Sequence, residues 1–351
     1  VWNRATDGVV DSSPAVVNGV VYVGSDDTNM YALDARTGAT RWIVPFDHAF
    51  IDSSPAVAKG VVYFGTSMGH VLALNAATGA RLWRFRNSEA VDSSPAVAGG
   101  VVYVGSQDGN VYALNAHTGA KLWAFPGVGG DEGDFISSPV VAGGVVYIGS
   151  ADTGNLYALN AATGAKLWSF ATGDDVWSSP TVVDGVVYIG SNNGRVDALN
   201  AATGAELWIS VVDVEGAITS SPAVVNGVVY VGSFDGNVDA LNAATGAKLW
   251  SFTSSSQFNF IDTSPAVANG VVYIGSSDGN VYALNAATGA RLWSYTTGGS
   301  IESSPAVANG VVYIGSGDGK LYAFGLADGF ATPVRPTQDR LHPNYNLRQQ
   351  R

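Results

Sequence analysis

The chain has 351 residues, of which 46% are hydrophobic and 13% are charged, and its formal net charge is −12. The negative charge argues against nucleic acid and anionic membrane surfaces as partners, because both bind a basic face. Cysteine is absent, which excludes disulfides and thiolate metal sites. The hydrophobic residues come in short runs broken by turns, so we expect no transmembrane segment and no membrane insertion.

Two short motifs alternate along the chain. The first, Ser-Ser-Pro-Ala-Val, recurs with small changes around Pro14, Pro55, Pro95, Pro139, Pro180, Pro222, Pro265 and Pro305. The second, Val-Tyr-Ala-Leu-Asn-Ala-Ala-Thr-Gly-Ala-Arg-Leu-Trp, ends with small changes at Trp42, Trp83, Trp123, Trp168, Trp208, Trp250 and Trp293. A period of about 40 residues built only from strand and turn signals is typical of a β-propeller blade.

Each repeat predicts four strands, A to D, and the last repeat illustrates the first two. Residues 303–307 form strand A, and Pro305 places it at a sheet edge facing the central channel, because proline has no amide hydrogen. Asn309-Gly310 is a two-residue hairpin turn, followed by an apolar strand B. Asp-Gly turns usually join strand B to strand C, Ala-Ala-Thr-Gly turns join C to D, and strand D ends on the Trp.

The counts of the two motifs predict how the ring closes. There are eight Ser-Ser-Pro or Thr-Ser-Pro segments but seven closing tryptophans. Trp2 lies 12 residues before Pro14, the same gap that separates Trp83 from Pro95. We therefore predict an all-β, eight-bladed propeller of four-stranded antiparallel blades, in which the N-terminal strand completes the last blade. An open solenoid is the alternative.

The repeats stop at Gly329, which predicts one propeller over residues 1–330 and a tail over residues 331–351. The tail is rich in Pro and Arg, and we expect it to be extended or disordered. The alternative is an arm that docks on its own propeller or a neighbouring one, with Tyr345 and Leu347 as anchors. The chain opens at Val1 without a Met or a signal peptide, which favours a mature or trimmed product.

The second motif resembles the tryptophan-docking motif of pyrroloquinoline quinone (PQQ)-like repeat propellers, and the resemblance covers residues 1–329. It implies that a Trp of each blade packs against the adjacent blade. The residues concerned are Trp2, Trp42, Trp83, Trp123, Trp168, Trp208, Trp250 and Trp293. The family includes quinoprotein alcohol dehydrogenases, a propeller lipoprotein of the outer-membrane barrel-assembly machine, and sensor domains of bacterial membrane kinases.

Departures from the dehydrogenases favour a binding role. Those enzymes are much longer, with inserts that build the cofactor pocket, and many carry an adjacent Cys pair that this chain lacks. No local set of Asp, Asn and Glu matches their metal and base positions. The resemblance therefore implies a non-enzymatic binding or scaffolding module that is secreted, periplasmic or at the cell surface. A PQQ- and metal-dependent oxidoreductase, or a fragment of one, is the first alternative, and the sensor domain of a membrane protein is the second.

The D–A loops vary in length and sequence, whereas the turns of the opposite face are uniform, so we expect binding on the D–A face. One position per blade stands just before the Ser-Ser-Pro motif. In blade order it holds Asp11, Asp52, Asp92, Ile136, Trp177, Thr219, Asp262 and Glu302. In a closed ring the five acids form one arc at the channel mouth, which could attract a cation or a basic partner. The alternative is that they are solvated acids capping nearby amides.

Two further features of the D–A loops are candidates for sites. Asp131, Glu132, Asp134, Asp174 and Asp175 offer oxygen ligands for calcium, although their spacing matches no defined calcium loop. Trp177 lies outside the docking motif and is either a stacking platform for a ligand or part of loop packing. The four His residues have no metal-ligand spacing. We expect a protein partner or a small ligand on this face and no catalytic residue. We also expect no PQQ or other cofactor, with a divalent cation such as calcium as the alternative.

Overall fold

The computed structural model describes residues 2–46, 48–127, 134–212, 216–254 and 260–325. Their regular structure consists of eight four-stranded antiparallel sheets, so the predicted all-β, eight-bladed propeller is confirmed. Blades are numbered here from the one that contains Pro14. The described residues contain no helix with the length and apolar character that a membrane crossing requires. The tail, with Tyr345 and Leu347, lies outside the described residues.

The A strands surround the central axis, because each contacts the A strands of both neighbouring blades. They are β2 Ala15–Val17, β6 Ala56–Ala58, β10 Ala96–Ala98, β14 Val140–Ala142, β18 Thr181–Val183, β22 Ala223–Val225, β26 Ala266–Ala268 and β30 Ala306–Ala308. These strands are shorter than predicted and begin after the proline. The preceding serines use their backbone and hydroxyl groups for other hydrogen bonds, and the proline has no amide hydrogen to give to a ladder.

The B strands form the second layer of each blade. They are β3 Val20–Gly24, β7 Val61–Gly65, β11 Val101–Gly105, β15 Val145–Gly149, β19 Val186–Ser191, β23 Val228–Gly232, β27 Val271–Gly275 and β31 Val311–Ser316. The A–B turns have positive φ at both central residues, as at Asn18 (51°) and Gly19 (74°), which suits a tight hairpin. Most B-strand side chains are buried because neighbouring blades cover both faces of the strand.

The C and D strands complete the blades. The C strands are β4 Asn29–Asp34, β8 His70–Asn75, β12 Asn110–Asn115, β16 Asn155–Asn160, β20 Arg195–Asn200, β24 Asn237–Asn242, β28 Asn280–Asn285 and β32 Lys320–Gly325. The D strands are β5 Thr40–Pro45, β9 Arg81–Arg86, β13 Lys121–Pro126, β17 Lys166–Ala171, β21 Glu206–Val211, β25 Lys248–Thr253, β29 Arg291–Thr296 and, in blade 8, β1 Trp2–Ala5. In blades 1 to 7 the C–D pairing shifts register just before the Trp.

The structure places seven of the eight motif tryptophans against the next blade in the same way. Each Nε1 donates to a carbonyl oxygen at 2.9–3.1 Å, from Trp2 to Ala35, Trp42 to Ala76, Trp83 to Ala116, Trp123 to Ala161, Trp168 to Ala201, Trp208 to Ala243, and Trp250 to Ala286. The corresponding carbonyl for Trp293 falls at position 326, outside the described residues. Each bond joins two blades that are neighbours in the chain or across its ends.

The ring closes as predicted, with the strand of Trp2 completing the last blade. The N-terminal strand β1 pairs with β32 in the register Trp2↔Ala323 to Ala5↔Lys320. The A strands of blades 1 and 8 also contact each other. The ring of eight blades is therefore closed within the chain, and the open solenoid is wrong.

Candidate functional site

The D–A face is held in place by one apolar residue in each loop. In all eight loops the residue just before the arc position is completely buried: Val10, Ile51, Val91, Phe135, Val176, Ile218, Ile261 and Ile301. Each packs on the glycine that lies near the end of a neighbouring B strand. A Cβ atom on Gly24, for example, would lie 2.4 Å from the Ile51 side chain. The repeated Gly of strand B therefore makes room for the anchor that fixes the next arc residue.

The structure brings the five predicted acids together on blades 7, 8, 1, 2 and 3. Asp11 interacts electrostatically with Glu302, with Asp262 and with Asp52. Asp52 also interacts with Asp92. The acids thus form a continuous chain of like charges around more than half of the channel mouth, which we call the acidic arc.

Like charges and partial burial raise the pKa of several arc carboxyls. Burial, then the charges of Glu302 and Asp26, raises the pKa of Asp11 to about 7. Burial and the charges of Glu302 and Asp11 raise the pKa of Asp262 to about 7. Burial also raises the pKa of Asp92, whose Oδ2 accepts a hydrogen bond from Gln107 at 2.6 Å.

A sixth acid, Asp26, belongs to the arc but was not predicted. It lies in the B–C turn of blade 1, with its carboxyl beside that of Asp52, where it favours the protonated form of Asp52. Although Asp52 is exposed at the surface of the mouth, the surrounding protein and then Asp26 raise its pKa to about 7. The signal was available, because at this turn position the other blades hold Ser67, Gln107, Ala151, Asn192, Phe234, Ser277 and Gly317.

The other side of the mouth is less polar. The arc positions of blades 4 to 6 hold Ile136, Trp177 and Thr219, and the Trp177 side chain is 45% exposed. Beyond them, Phe234 and Phe260 stack with ring centroids 5.0 Å apart. The channel mouth therefore has an acidic side and an aromatic side.

The predicted calcium ligands are only partly described. Asp131 and Glu132 lie outside the described residues. Burial, then the charges of Asp174 and Asp152, raises the pKa of Asp175, so these acids lie near one another. In the part of the chain that the structure describes, no group of three or more His, Asp or Glu side chains is arranged to hold a metal ion.

The opposite face carries two open grooves between its repeated turns. One, of about 500 Å³, lies between blades 5 and 6 and is lined by Trp208, Asn226 and Ala243. The other, of about 460 Å³, lies between blades 6 and 7 and is lined by Tyr230, Asn269 and Ala286. Most of the lining residues recur in nearly every blade, and the turn asparagines recur in four blades. The linings therefore do not distinguish these two grooves from the other blade junctions of this face.

The closed ring and the docking tryptophans define an eight-bladed propeller of PQQ-like repeats. The family model described as outer membrane protein assembly factor BamB matches residues 1–151 and 107–329, and the chain belongs to this family. The comparison with curated proteins gives no match.

Solved structures share this fold. BamB from Moraxella catarrhalis is 24% identical with a TM-score of 0.80, over 93% of this chain and 99% of that chain. The computationally designed Ika8 protein is 19% identical with a TM-score of 0.80, over 92% and 98%. A quinohemoprotein alcohol dehydrogenase from Pseudomonas putida is 18% identical with a TM-score of 0.78, over 99% and 78%. At these identities the likeness concerns the fold alone.

Proposed function

We propose that this chain is a non-enzymatic binding propeller that holds a partner protein on its D–A face. The observation that carries the proposal is the acidic arc, which faces the exposed Trp177 across the channel mouth. Carboxyls with raised pKa values gain most from a positively charged group, because it relieves their mutual repulsion and lets them ionise. Exposed aromatic residues are enriched where proteins bind one another.

The partner therefore needs two features. A basic segment, carrying Lys or Arg, would lie over Asp11, Asp52 and Glu302. An apolar or aromatic side chain next to it would contact Trp177. The family description places its members in outer membrane protein assembly, which supports a periplasmic or cell-surface location and a partner in that process.

The test uses two labelled peptides whose binding is followed by fluorescence anisotropy. One covers residues 332–351 of this chain, which contain four Arg and one acid, and the other is an unrelated peptide of alternating Lys and Trp. We expect both to bind the wild-type protein and to bind about tenfold more weakly to the variant Asp11→Asn/Asp52→Asn/Glu302→Gln. Higher salt should weaken binding to the wild type most.

Asp184→Asn is the matched control. Asp184 lies in an A–B turn of the opposite face, where other blades carry Asn18, Asn226, Asn269 and Asn309, so the variant loses a charge without disturbing the turn. It should bind both peptides as the wild type does. The proposal is contradicted if neither peptide binds the wild type. It is also contradicted if Asp184→Asn weakens peptide binding as much as the triple variant does.

The same preparation addresses the enzyme alternative. We expect no spectral change on titration with PQQ and calcium, and no dye reduction with alcohols or aldose sugars. Saturable PQQ binding accompanied by dye reduction would contradict the binding proposal and would show that the protein is an oxidoreductase.

A further inference from the structure

A cavity of about 240 Å³ opens between blades 1 and 2, and we call this junction seam 1–2. Its apolar lining includes Val44, Phe46 and Leu72. Its polar lining includes His70, Arg81 and Arg84. The cavity lies among strands of the two blades and uses no residue of the acidic arc.

The cavity exists because two large rings are missing. In most other seams a D-strand aromatic residue contacts a C-strand tyrosine of the next blade, as Phe85 does with Tyr112 and Phe252 with Tyr282, at 5.2 Å between centroids in both pairs. In seam 1–2 these two positions hold Val44 and Leu72. Both replacements are smaller, so the space of the two rings is left open.

The same seam has gained positive charge. His70 stands where five other blades carry Asn29, Asn110, Asn155, Asn237 and Asn280, and Arg84 stands where others carry residues such as Ala124, Ser169, Ser251 and Ser294. The B–C turn acid seen as Asp108 in blade 3 is Met68 in blade 2. The salt bridges among the described residues join Arg41–Asp34, Arg195–Asp197, Lys248–Asp239 and Lys320–Asp318. None of them includes a basic residue of seam 1–2.

Two other seams show what such basic residues bind when a carboxylate is present. In seam 5–6, Lys248 occupies the position of Arg81, and its Nζ lies 2.9 Å from Asp239 Oδ1. In seam 4–5, Arg195 occupies the position of His70 and lies 2.8 Å from Asp197 Oδ1. Both aspartates occupy the position that Leu72 holds in blade 2. Among its described residues, seam 1–2 therefore keeps both basic positions, adds Arg84, and lacks the carboxylate.

We propose that seam 1–2 binds an apolar carboxylate, with its anionic group on Arg81 and Arg84 and its hydrocarbon part in the space of the missing rings. A dry cavity of about 150 Å³ is enough for benzene, so this cavity has room for one ring and a carboxylate. Arg pairs with carboxylates through two parallel hydrogen bonds. The ligand is either a free small carboxylate or the C-terminal residue of a polypeptide that ends in an apolar side chain.

The experiment measures binding of a fluorinated phenylpropionate to the full chain by fluorine NMR, with its neutral amide as the first control. We expect the acid to bind at least about tenfold more tightly than the amide, the effect of one charge-assisted contact. A hexapeptide ending in Leu, with a free or an amidated C-terminus, is then tested as a competitor. Competition by the free peptide alone assigns the site to chain termini, and its absence assigns it to small carboxylates.

Four variants locate the site. Arg84→Ser copies blades 4, 6 and 7 and should weaken binding about tenfold, whereas Arg86→Thr removes an equal charge beside the cavity and should not. Leu72→Asp supplies the internal carboxylate of blades 5 and 6 and should abolish binding. Val44→Phe/Leu72→Tyr restores the rings and should abolish binding while raising the melting temperature, which separates loss of the site from loss of the fold.

Several results would overturn the proposal. They are no binding of the acid to the wild type, equal affinity for the amide, or equal effects of Arg84→Ser and Arg86→Thr. Asp47 lies in the adjoining loop, outside the described residues, and Asp47→Asn should leave binding unchanged or tighter. Binding that appears only in Asp47→Asn would show that the seam already has an internal carboxylate and would also overturn it.

Discussion

The amide of Ser304 donates a hydrogen bond of 2.9 Å to the hydroxyl of Ser13, across 291 residues of sequence. It is one of eight such bonds. In every blade, the amide of the motif's second serine donates to the hydroxyl of the second serine in the following blade. The order is Ser13, Ser54, Ser94, Ser138, Ser179, Ser221, Ser264, Ser304 and back to Ser13. The bonds form a closed circle around the channel, so the junction between blades 8 and 1 is built like every other junction.

The first prediction concerns ring closure by Trp2. Its side chain is 7% exposed, and its Nε1 donates to Ala35. Trp2→Ala removes this side chain from the seam between blades 8 and 1, and we expect it to lower the free energy of unfolding by about 3–5 kcal/mol. Urea unfolding at neutral pH measures the change.

The matched control is Trp177→Ala, which removes the same atoms from an exposed position. We expect its unfolding free energy to stay within about 0.5 kcal/mol of the wild type. Equal effects of the two substitutions would contradict the closure of the ring by Trp2.

The second prediction isolates the contact between each docking Trp and the next blade. Gly119 has φ +72°, and a Cβ there would lie 2.7 Å from the Trp83 ring. Gly100 has φ +83°, and a Cβ there would meet no atom within 4 Å. Both Gly→Ala changes incur the strain of positive φ, about 1 kcal/mol, but only Gly119→Ala must also displace an indole.

We therefore expect Gly119→Ala to reduce the melting temperature by clearly more than Gly100→Ala, and the difference reports the docking contact. Differential scanning calorimetry measures both. Equal melting temperatures would show that the seam adjusts without loss and that the glycine is needed only for its turn.

The periodicity of the sequence was enough to predict the propeller, the blade count and the pairing of Trp2, because each rests on motifs that repeat with fixed spacing. The sequence also located five acids of the arc, since they occupy one position of the repeat. Asp26 was missed because it comes from a different turn, and only the folded blade brings that turn beside Asp52. The serine circle was missed for the same reason, because a hydrogen bond from each blade to the next leaves no local pattern beyond the serine itself.

The third prediction concerns pH and the acidic arc. The pKa values of Asp11 and Asp52 are about 7 in the folded protein and near 4 in an unfolded chain. The folded state therefore holds more protons between these values. The stabilisation from the protonated carboxyls is complete below pH 4 and is lost as the pH rises to about 7. The wild type should thus lose stability from pH 4 to pH 7 through these groups.

Asp11→Asn/Asp52→Asn should flatten this part of the stability profile. At pH 8 we expect the double variant to be more stable than the wild type by about 1–2 kcal/mol, a value reduced for the solvent that reaches the channel mouth. Asp184→Asn should leave the slope unchanged. Parallel profiles for the wild type and the double variant in urea unfolding from pH 4 to pH 8 would show that the arc is fully solvated.

The last prediction concerns the buried ion pair of seam 5–6. Asp239 is fully buried, Lys248 is partly exposed, and their charged atoms lie 2.9 Å apart. Lys248→Met leaves the carboxylate without its cation, and we expect a loss of about 2–3 kcal/mol at pH 8, less than for a fully buried pair because the lysine reaches solvent. The loss should shrink towards pH 4, where Asp239, whose pKa burial already raises, becomes neutral.

Lys166→Met is the control, since Tyr157 takes the place of the aspartate in its seam. Adding Ser210→Phe and Asp239→Tyr to Lys248→Met copies the aromatic pair of seam 6–7 and should restore stability. If this triple variant remains as unstable as Lys248→Met, the seams are not interchangeable, and the ring packing of seam 6–7 cannot be transferred to its neighbour.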